Sequence, residues 1–209
     1  MKIGIIGMGY VGLSTAVVLA NQGNDMVCVD VDVNRLDMLK AGEPPIYEKG
    51  LEEMLKKNLP RMHMTRDYTD LRDAEILFIC VPTPTRNGRC DVSYINSVIS
   101  SLKEAGISTL AVIKSTMPPV AIEEVSKALG KRPVMNPEFL REGTALEDTI
   151  RPDRVVIGAD SETDFEKVRR VWSFTNAQIL RTSPEEASMI KYASNSFLAV
   201  KVSFINEFM

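Results

Sequence analysis

The chain is poor in the residues that usually bind metals or form disulfides. It has three cysteines and one histidine among 209 residues. The number of cysteines is odd, and Cys28, Cys80 and Cys90 are widely spaced. This pattern favours reduced thiols over a disulfide framework. Because His63 is the only histidine, we expect no metal site and no histidine-centred catalytic triad.

Long apolar runs and an excess of positive charge are also missing. No apolar run approaches the ~18 residues that span a bilayer, so we expect no membrane segment. The formal net charge is −3 and the isoelectric point is about 5.4; with no basic stripe that carries interleaved aromatic residues, this argues against a nucleic-acid partner. With 44% hydrophobic and 25% charged residues, the composition is that of an ordinary globular protein, for which the cytoplasm is the default location.

Strand-like and helix-like segments alternate along the chain. Such alternation predicts an α/β fold with a doubly wound, mostly parallel sheet of the Rossmann type, covered by helices on both faces. The segment at 75–81 is apolar on both faces and is expected to be a central strand. The predicted strands lie near residues 2–6, 26–30, 62–65, 75–81, 109–114, 133–135, 154–158 and 177–181.

The first predicted strand leads into a glycine-rich turn, G-M-G-Y-V-G at 7–12. A helix-compatible stretch follows, and the next strand ends on Asp30 about 20 residues further on, which is the context that makes such a motif specific for a dinucleotide. Gly7 allows a tight turn, Gly9 leaves room for a pyrophosphate, and Gly12 lets the helix pack closely. The N–H groups and the positive dipole end of the helix then bind the diphosphate.

The acid at position 30 favours NAD over NADP. Asp30 is expected to accept hydrogen bonds from the adenosine ribose hydroxyls and to repel a 2′-phosphate. Arg35 is either a cofactor contact, which would tolerate NADP, or an exposed helix residue, and the two interpretations are about equally supported. The cofactor contacts predicted in this part of the chain are Gly7, Gly9, Tyr10, Val11, Gly12, Asp30 and Arg35.

Two further loops are expected at the carboxyl edge of the sheet, where ligands of open α/β sheets bind. Pro82 and Thr83 follow the central strand in a P-T-P-T run that cannot continue it. Ser115 and Thr116 follow the next strand. The alternative for Thr116 is an N-cap of the helix that starts near Val120, and spacing alone favours that alternative.

The last segment carries a strong helix start. Ser183 is the predicted N-cap, proline occupies the first helical position, and Glu186 closes a capping box. No stop signal precedes Met209, so we expect a helix close to 40 Å long at 1.5 Å per residue, truncated at Met209. Lys191 and Asn195 share one face of it, and by spacing alone that pair is more typical of solvated surface than of a site.

Several motifs together are too specific for generic loops. They read M-N-P-E-F-L-R-E-G-T-A at 135–145, Asp148, R-P-D-R-V-V-I-G at 151–158, V-P-T-P-T at 81–85, K-S-T-M-P at 114–118 and K-Y-A-S-N at 191–195. With these and the glycine motif, the chain resembles the UDP-glucose 6-dehydrogenase family from Met1 to its end. Relatives that act on N-acetylated UDP-sugars typically differ across 136–143, which makes UDP-glucose the leading substrate.

The resemblance implies a reaction and roles for particular residues. Enzymes of this family oxidise the C6 alcohol of UDP-glucose to the carboxylate of UDP-glucuronate in two NAD-dependent hydride transfers, and a cysteine holds the intermediate as thiohemiacetal and then thioester. Thr116 and Glu142 would organise water and proton transfers. Lys191 would offset negative charge on the sugar oxygen, and Asn195 would donate a hydrogen bond to it.

The site residues implied by the resemblance fall into three sets. The catalytic set is Thr116, Glu142, Lys191 and Asn195. Further cofactor contacts are Pro82, Thr83, Ser115, Thr116 and Glu142. The substrate-binding set is Glu138, Phe139, Leu140, Arg141, Lys191 and Asn195. The implied domains are an NAD-binding domain at 1–182 and, at 183–209, the start of a long central helix through which family members commonly form homodimers.

One departure from the family pattern limits the prediction. The family's nucleophilic cysteine lies in a glycine-rich segment after the long helix, and no such segment is present here. Cys28 and Cys80 fall in strands and Cys90 in a loop, so none can take that role. We therefore expect the amino-terminal half of a nucleotide-sugar dehydrogenase. Two alternatives stay open: a non-catalytic NAD-binding fragment that needs a partner chain, and a dehydrogenase acting on GDP-mannose, another nucleotide sugar or a hydroxy acid.

Overall fold

The fold is built on one eight-stranded sheet, seen in a computed structural model that describes residues 1–208. The strand order is β10-β9-β8-β7-β4-β1-β2-β3. All neighbours are parallel except β8 and β9, which meet at a single antiparallel bridge between Met135 and Gly158. The strands of this sheet are β1 (Lys2–Ile6), β2 (Asp25–Val29), β3 (Met62–Thr65), β4 (Ile76–Ile79), β7 (Ala111–Ile113), β8 (Val134–Met135), β9 (Arg154–Gly158) and β10 (Gln178–Thr182).

Helices cover both faces of the sheet, because the strand residues alternate between two apolar clusters. Ile5 and Phe78 point into one cluster and Ile6 and Leu77 into the other. The helices are α1 (Tyr10–Asn21), α2 (Val33–Lys40), α3 (Leu51–Asn58), α4 (Ser93–Glu104), α5 (Ala121–Leu129), α6 (Ala145–Ile150), α7 (Glu162–Val171) and α8 (Pro184–Asn206), with 3-10 turns at Leu59–Arg61 and Tyr68–Leu71. The first cluster packs under α1, α2, α3, α6 and α7, and the second under α4, α5 and α8. The predicted doubly wound α/β fold, the eight strands and the long final helix are confirmed.

The structure contains a small hairpin that the sequence pattern did not predict. Strands β5 (Thr85–Arg86) and β6 (Arg89–Cys90) pair antiparallel. Asn87 and Gly88 connect them with φ angles of +50° and +72°, as a two-residue type I′ turn requires. Cys90 therefore lies in a short strand and not in the loop predicted for it.

Helix α8 starts as predicted but ends earlier. The Ser183 hydroxyl accepts a hydrogen bond from the Glu186 N–H, and the Glu186 carboxylate accepts one from the Ser183 N–H. The helix ends at Asn206 after 23 residues, or about 34 Å at 1.5 Å per residue. The expectation of an uninterrupted helix through the end of the chain is thus wrong for the described residues, and Met209 lies outside them. None of the helices within residues 1–208 combines the length and the apolar composition that a membrane span requires.

Strand order places a crevice between β1 and β4. From β1 the chain proceeds outward through β2 and β3, whereas β4, β7 and β8 extend in the other direction. Ligands of doubly wound sheets bind at such a reversal, outside the carboxyl ends of the strands. The loops after β1, β4 and β7 all emerge at this edge.

Candidate dinucleotide and substrate site

The glycine loop after β1 is shaped by three different constraints. Gly7 has a φ of +93°, which favours glycine. A Cβ on Gly12 would lie 1.8 Å from the carbonyl oxygen of Gly7, so only glycine fits where α1 meets the loop. A Cβ on Gly9, in contrast, would meet no atom within 4 Å. The space above Gly9 is therefore open, at the start of α1, and it suits the pyrophosphate of a dinucleotide.

Asp30 closes the loop from the end of β2. Its side chain is buried, and its carboxylate accepts hydrogen bonds from the N–H groups of Met8 and Asp32 at 2.6 and 2.9 Å. The Arg35 guanidinium binds the same carboxylate at 2.8 Å. Arg35 is thus half-buried and held against the acid, so its interpretation as an exposed helix residue is wrong.

Replacing Asp30 by alanine is expected to change both binding and stability. The loss of a charged acceptor should raise the dissociation constant for NAD by about tenfold and, because the Met8 N–H is left without its partner, lower the free energy of unfolding by about 1–3 kcal/mol. Titration calorimetry and urea denaturation measure the two effects. Asp37→Ala, on the exposed side of α2, is the control and should change neither. An unchanged NAD affinity in Asp30→Ala would refute the ribose contact.

The loops after β4 and β7 are tied together. The Ser115 hydroxyl donates to the carbonyl of Val81 at 2.6 Å, and the Thr83 hydroxyl donates to the carbonyl of Thr116 at 2.5 Å. The N-cap of α5 is Val120, so the alternative interpretation of Thr116 as a helix cap is wrong. Ser115 and Thr116 instead belong to a rigid edge beside the glycine loop.

A cavity of about 320 Å³ lies beside this edge. Its walls include all six residues of the predicted substrate-binding set: Glu138, Phe139, Leu140, Arg141, Lys191 and Asn195. Neither Thr116 nor Glu142 lines it, and the Glu142 side chain is exposed. The structure therefore gathers the predicted substrate residues and leaves two of the four predicted catalytic residues outside the cavity.

Lys191 is a buried member of the cavity wall. Its ammonium group lies 2.7 Å from Oε1 of Glu138, and the side chains are only 6% and 14% exposed. The other oxygen of Glu138 accepts the N–H of Leu140 at 2.6 Å. The interpretation of Lys191 as solvated surface is wrong, because α8 directs it inward.

Two further cavity residues, Lys114 and Arg154, were not predicted as site residues from the sequence. Lys114 is buried, its ammonium lies 4.9 Å from the centre of the Trp172 ring, and burial lowers its pKa. The Arg154 guanidinium lies 4.2 Å from the centre of the Phe139 ring. A lysine directly after an apolar strand was the available signal for Lys114. The cavity wall thus combines cationic and anionic side chains: Lys114, Arg141, Arg154 and Lys191 with Glu138, Asp148 and Asp153.

None of the three thiols resembles an activated nucleophile. Burial raises the pKa of Cys28 and of Cys80 to about 12, and it also raises the pKa of the half-buried Cys90. Activated cysteines have lowered pKa values and are accessible. Within residues 1–208, no group of three or more histidine, cysteine or acidic side chains is arranged to hold a metal ion.

Thiol labelling tests this description of the cysteines. With a chromogenic disulfide reagent at mildly alkaline pH, we expect one thiol to react in the folded protein and two to react only after unfolding. Cys90→Ser should remove the early phase. Early reaction of all three thiols would contradict the burial of Cys28 and Cys80.

Together, these features define a class of protein: a dinucleotide-binding α/β domain of the Rossmann type, with a second cavity at the edge of its sheet. Residues 1–176 match the NAD-binding domain of the UDP-glucose/GDP-mannose dehydrogenase family. The chain belongs to this family, and NAD is its cofactor.

Relatives of known structure or name agree with this assignment. The chain is 39% identical to a putative UDP-glucose 6-dehydrogenase of Bacillus subtilis over 99% of its own length. A UDP-glucose dehydrogenase from Pyrobaculum islandicum superimposes with a TM-score of 0.92 at 38% identity. A GDP-mannose dehydrogenase from Pseudomonas aeruginosa, solved as a ternary complex, gives 0.91 at 34%. Both matches cover 99% of this chain. The chain spans about half the length of each of these relatives: 51% of the Bacillus subtilis and Pyrobaculum islandicum proteins and 52% of the Pseudomonas aeruginosa protein.

Proposed function

We propose that this chain is the cofactor-binding half of a UDP-glucose 6-dehydrogenase, which oxidises the sugar C6 alcohol to a carboxylate. The observation that carries the proposal is the cavity in which Lys191, Glu138 and Asn195 meet beside the dinucleotide edge. Arg141 connects the two regions, since it lines the cavity while its carbonyl oxygen lies 2.6 Å from the hydroxyl of Tyr10, the first residue of α1.

In the proposed reaction, the site residues stabilise the negative charge that develops on the sugar oxygen and direct the transfer of protons. NAD supplies the hydride acceptor when bound at the glycine loop. The Lys191 ammonium, with Asn195 one helical turn further along the same helix face, stabilises negative charge that builds on the C6 oxygen. Glu138 holds Lys191 in place. The exposed Glu142 carboxylate, with Thr116, directs a water in the hydrolytic step, as the resemblance implies.

The cofactor is selected at the end of β2. The buried Asp30 carboxylate faces the ribose position and disfavours a 2′-phosphate. The 2.8 Å ion pair with Asp30 occupies the Arg35 guanidinium, so this guanidinium does not serve as a free cation for a 2′-phosphate. NAD is therefore bound in preference to NADP.

We also propose that the chain alone binds NAD but produces no NADH from UDP-glucose. A thioester mechanism needs an accessible thiolate, and the described cysteines are buried or have a raised pKa. Calorimetry with NAD and an absorbance assay for NADH test the two parts separately. Turnover by this chain alone would contradict the need for a further cysteine.

The substrate is tested on the protein purified from its own cells. NADH formation with UDP-glucose, GDP-mannose and UDP-N-acetylmannosamine is compared at equal concentration. The proposal expects UDP-glucose to give the highest kcat/KM. A preference for GDP-mannose would favour the second branch of the family, and no turnover with any sugar would favour a non-catalytic NAD-binding role.

A homodimer of the full-length protein is part of the proposal. The second half of α8 exposes apolar side chains, including Phe197, Phe204 and Ile205 at 54–64%, and apolar patches of this kind usually mark an interface. Sedimentation of the protein from its own cells is expected to show a dimer. A monomer would refute this part.

A further inference from the structure

Glu48 is a buried carboxylate that the reaction as proposed does not use. It lies in the loop between α2 and α3 and is 5% exposed. Its Oε1 accepts the N–H of Gly143 at 2.8 Å, and its Oε2 accepts the N–H of Ala145 at 3.1 Å. One side chain thus holds two backbone groups that lie almost a hundred positions further along the chain.

Tyr10 contacts the same carboxylate from the side of the dinucleotide helix. Its hydroxyl lies 2.7 Å from Oε1 of Glu48 and 2.6 Å from the carbonyl oxygen of Arg141. The hydroxyl has one proton, so it donates to one of these acceptors at a time. Burial and the neighbouring Glu48 raise the pKa of Tyr10, which keeps that proton in place. The first residue of α1 is therefore linked directly to the segment 141–145.

The segment 141–145 is held on its other side by Asp148. The backbone N–H of Arg141 donates to Asp148 at 2.9 Å, and the Arg141 guanidinium binds it at 2.5 Å. The Thr144 hydroxyl donates to Asp148 at 3.1 Å. Glu142 is exposed at the tip of a loop whose backbone is fixed from two directions. Its position relative to the glycine loop is consequently set by Glu48 and Tyr10.

We propose that Glu48 is a positioning residue that couples the dinucleotide loop to the segment carrying Glu142. Binding of NAD against the N-terminus of α1 restricts the motion of Tyr10. Because Tyr10 contacts Glu48, the hydrogen bonds from the N–H groups of Gly143 and Ala145 to Glu48 then open less often. The functional importance of that coupling rests on the proposed role of Glu142 in sugar oxidation. The coupling itself is a property of the NAD-binding domain and can be measured without any sugar.

The test measures amide hydrogen exchange of Gly143 and Ala145 with and without saturating NAD. The variants are Glu48→Gln, which keeps the volume but offers only one carbonyl oxygen, and Tyr10→Phe, which removes only the hydroxyl. Glu53→Gln on the exposed side of α3 is the matched control. Melting temperature and the NAD dissociation constant are recorded for every variant, so that a folding or binding defect is seen directly.

In the unmodified chain we expect NAD to slow exchange at Gly143 and Ala145. Without NAD, Glu48→Gln should speed exchange at one or both amides by roughly tenfold, since a charged acceptor is lost. With NAD supplied at a concentration that saturates each variant according to its own dissociation constant, Glu48→Gln and Tyr10→Phe should each remove most of the NAD effect, and Glu53→Gln should keep it. A merely structural role would change the melting temperature but leave the NAD effect in Tyr10→Phe.

Two results would overturn the coupling. One is an NAD effect on Gly143 and Ala145 that survives unchanged in both variants. The other is NAD binding to the unmodified chain with no effect at these amides. The sugar-oxidation proposal is tested by the turnover assay. Its failure there would not change either exchange result.

Discussion

Gly9→Val should abolish measurable NAD binding while leaving the protein folded. Gly9 adopts φ −75° and ψ −161°, an extended conformation that valine accepts without strain. No atom lies within 4 Å of the position that its Cβ would take, so the new side chain fills only the space open to the pyrophosphate. We expect the NAD dissociation constant to rise at least a hundredfold, or about 2.7 kcal/mol, by titration calorimetry.

Two further variants give this prediction its controls. Gly9→Ala adds one methyl group to the same space and should weaken NAD binding less than valine does. Gly12→Ala places its Cβ against the Gly7 carbonyl, and it should lower the melting temperature because backbone must move. If Gly9→Val binds NAD as tightly as the unmodified chain, the glycine loop is only a turn and the pyrophosphate lies elsewhere.

The glycine loop was predictable because each of its constraints is local in sequence. The turn at Gly7, the open space at Gly9 and the acid at the end of β2 all fall within thirty residues, and their spacing carries the geometry. Ser183 and Glu186 were predictable for the same reason, since a capping box lies within one turn of helix. The alternation of strand-like and helix-like segments likewise predicted a parallel sheet covered by helices on both faces.

The contacts that complete the site are not local, and the sequence could not supply them. Lys191 on a helix surface looks like a solvated side chain until tertiary packing sets it against Glu138. Glu48 carries no pattern of its own, because its partners Gly143 and Ala145 lie on a segment that only the folded chain brings near. Family resemblance raised Lys191 as a candidate, but no motif pointed to the role of Glu48.

Local rules also gave wrong answers where packing decided the outcome. Thr116 had the residue type of an N-cap, yet α5 begins after Val120 and the carbonyl of Thr116 binds the Thr83 hydroxyl instead. The two prolines at 118 and 119 separate Thr116 from the helix. A hydroxyl at a strand end is therefore ambiguous between cap and site until the start of the helix is known.

Lys191→Met should produce the largest loss of stability predicted for this chain. The substitution keeps a long apolar side chain but leaves the Glu138 carboxylate, only 14% exposed, without its cation. Removing one partner of a buried ion pair costs about 3–5 kcal/mol, because the remaining charge stays in a medium that solvates it poorly. Urea denaturation followed by circular dichroism measures the change in the free energy of unfolding.

Lys201→Met is the matched control, since Lys201 lies on the exposed part of the same helix, and its effect should stay within about 0.5 kcal/mol. The double variant Lys191→Met/Glu138→Gln removes the charge that was left unpaired and retains an acceptor for the Leu140 N–H, so it should recover most of the lost stability. Recovery would show that the penalty belongs to the unpaired carboxylate and not to lost packing around Lys191. If Lys191→Met is no more destabilising than Lys201→Met, the cavity is wetter than its geometry indicates, and Lys191 would then be free to exchange Glu138 for an oxygen of the substrate at little expense.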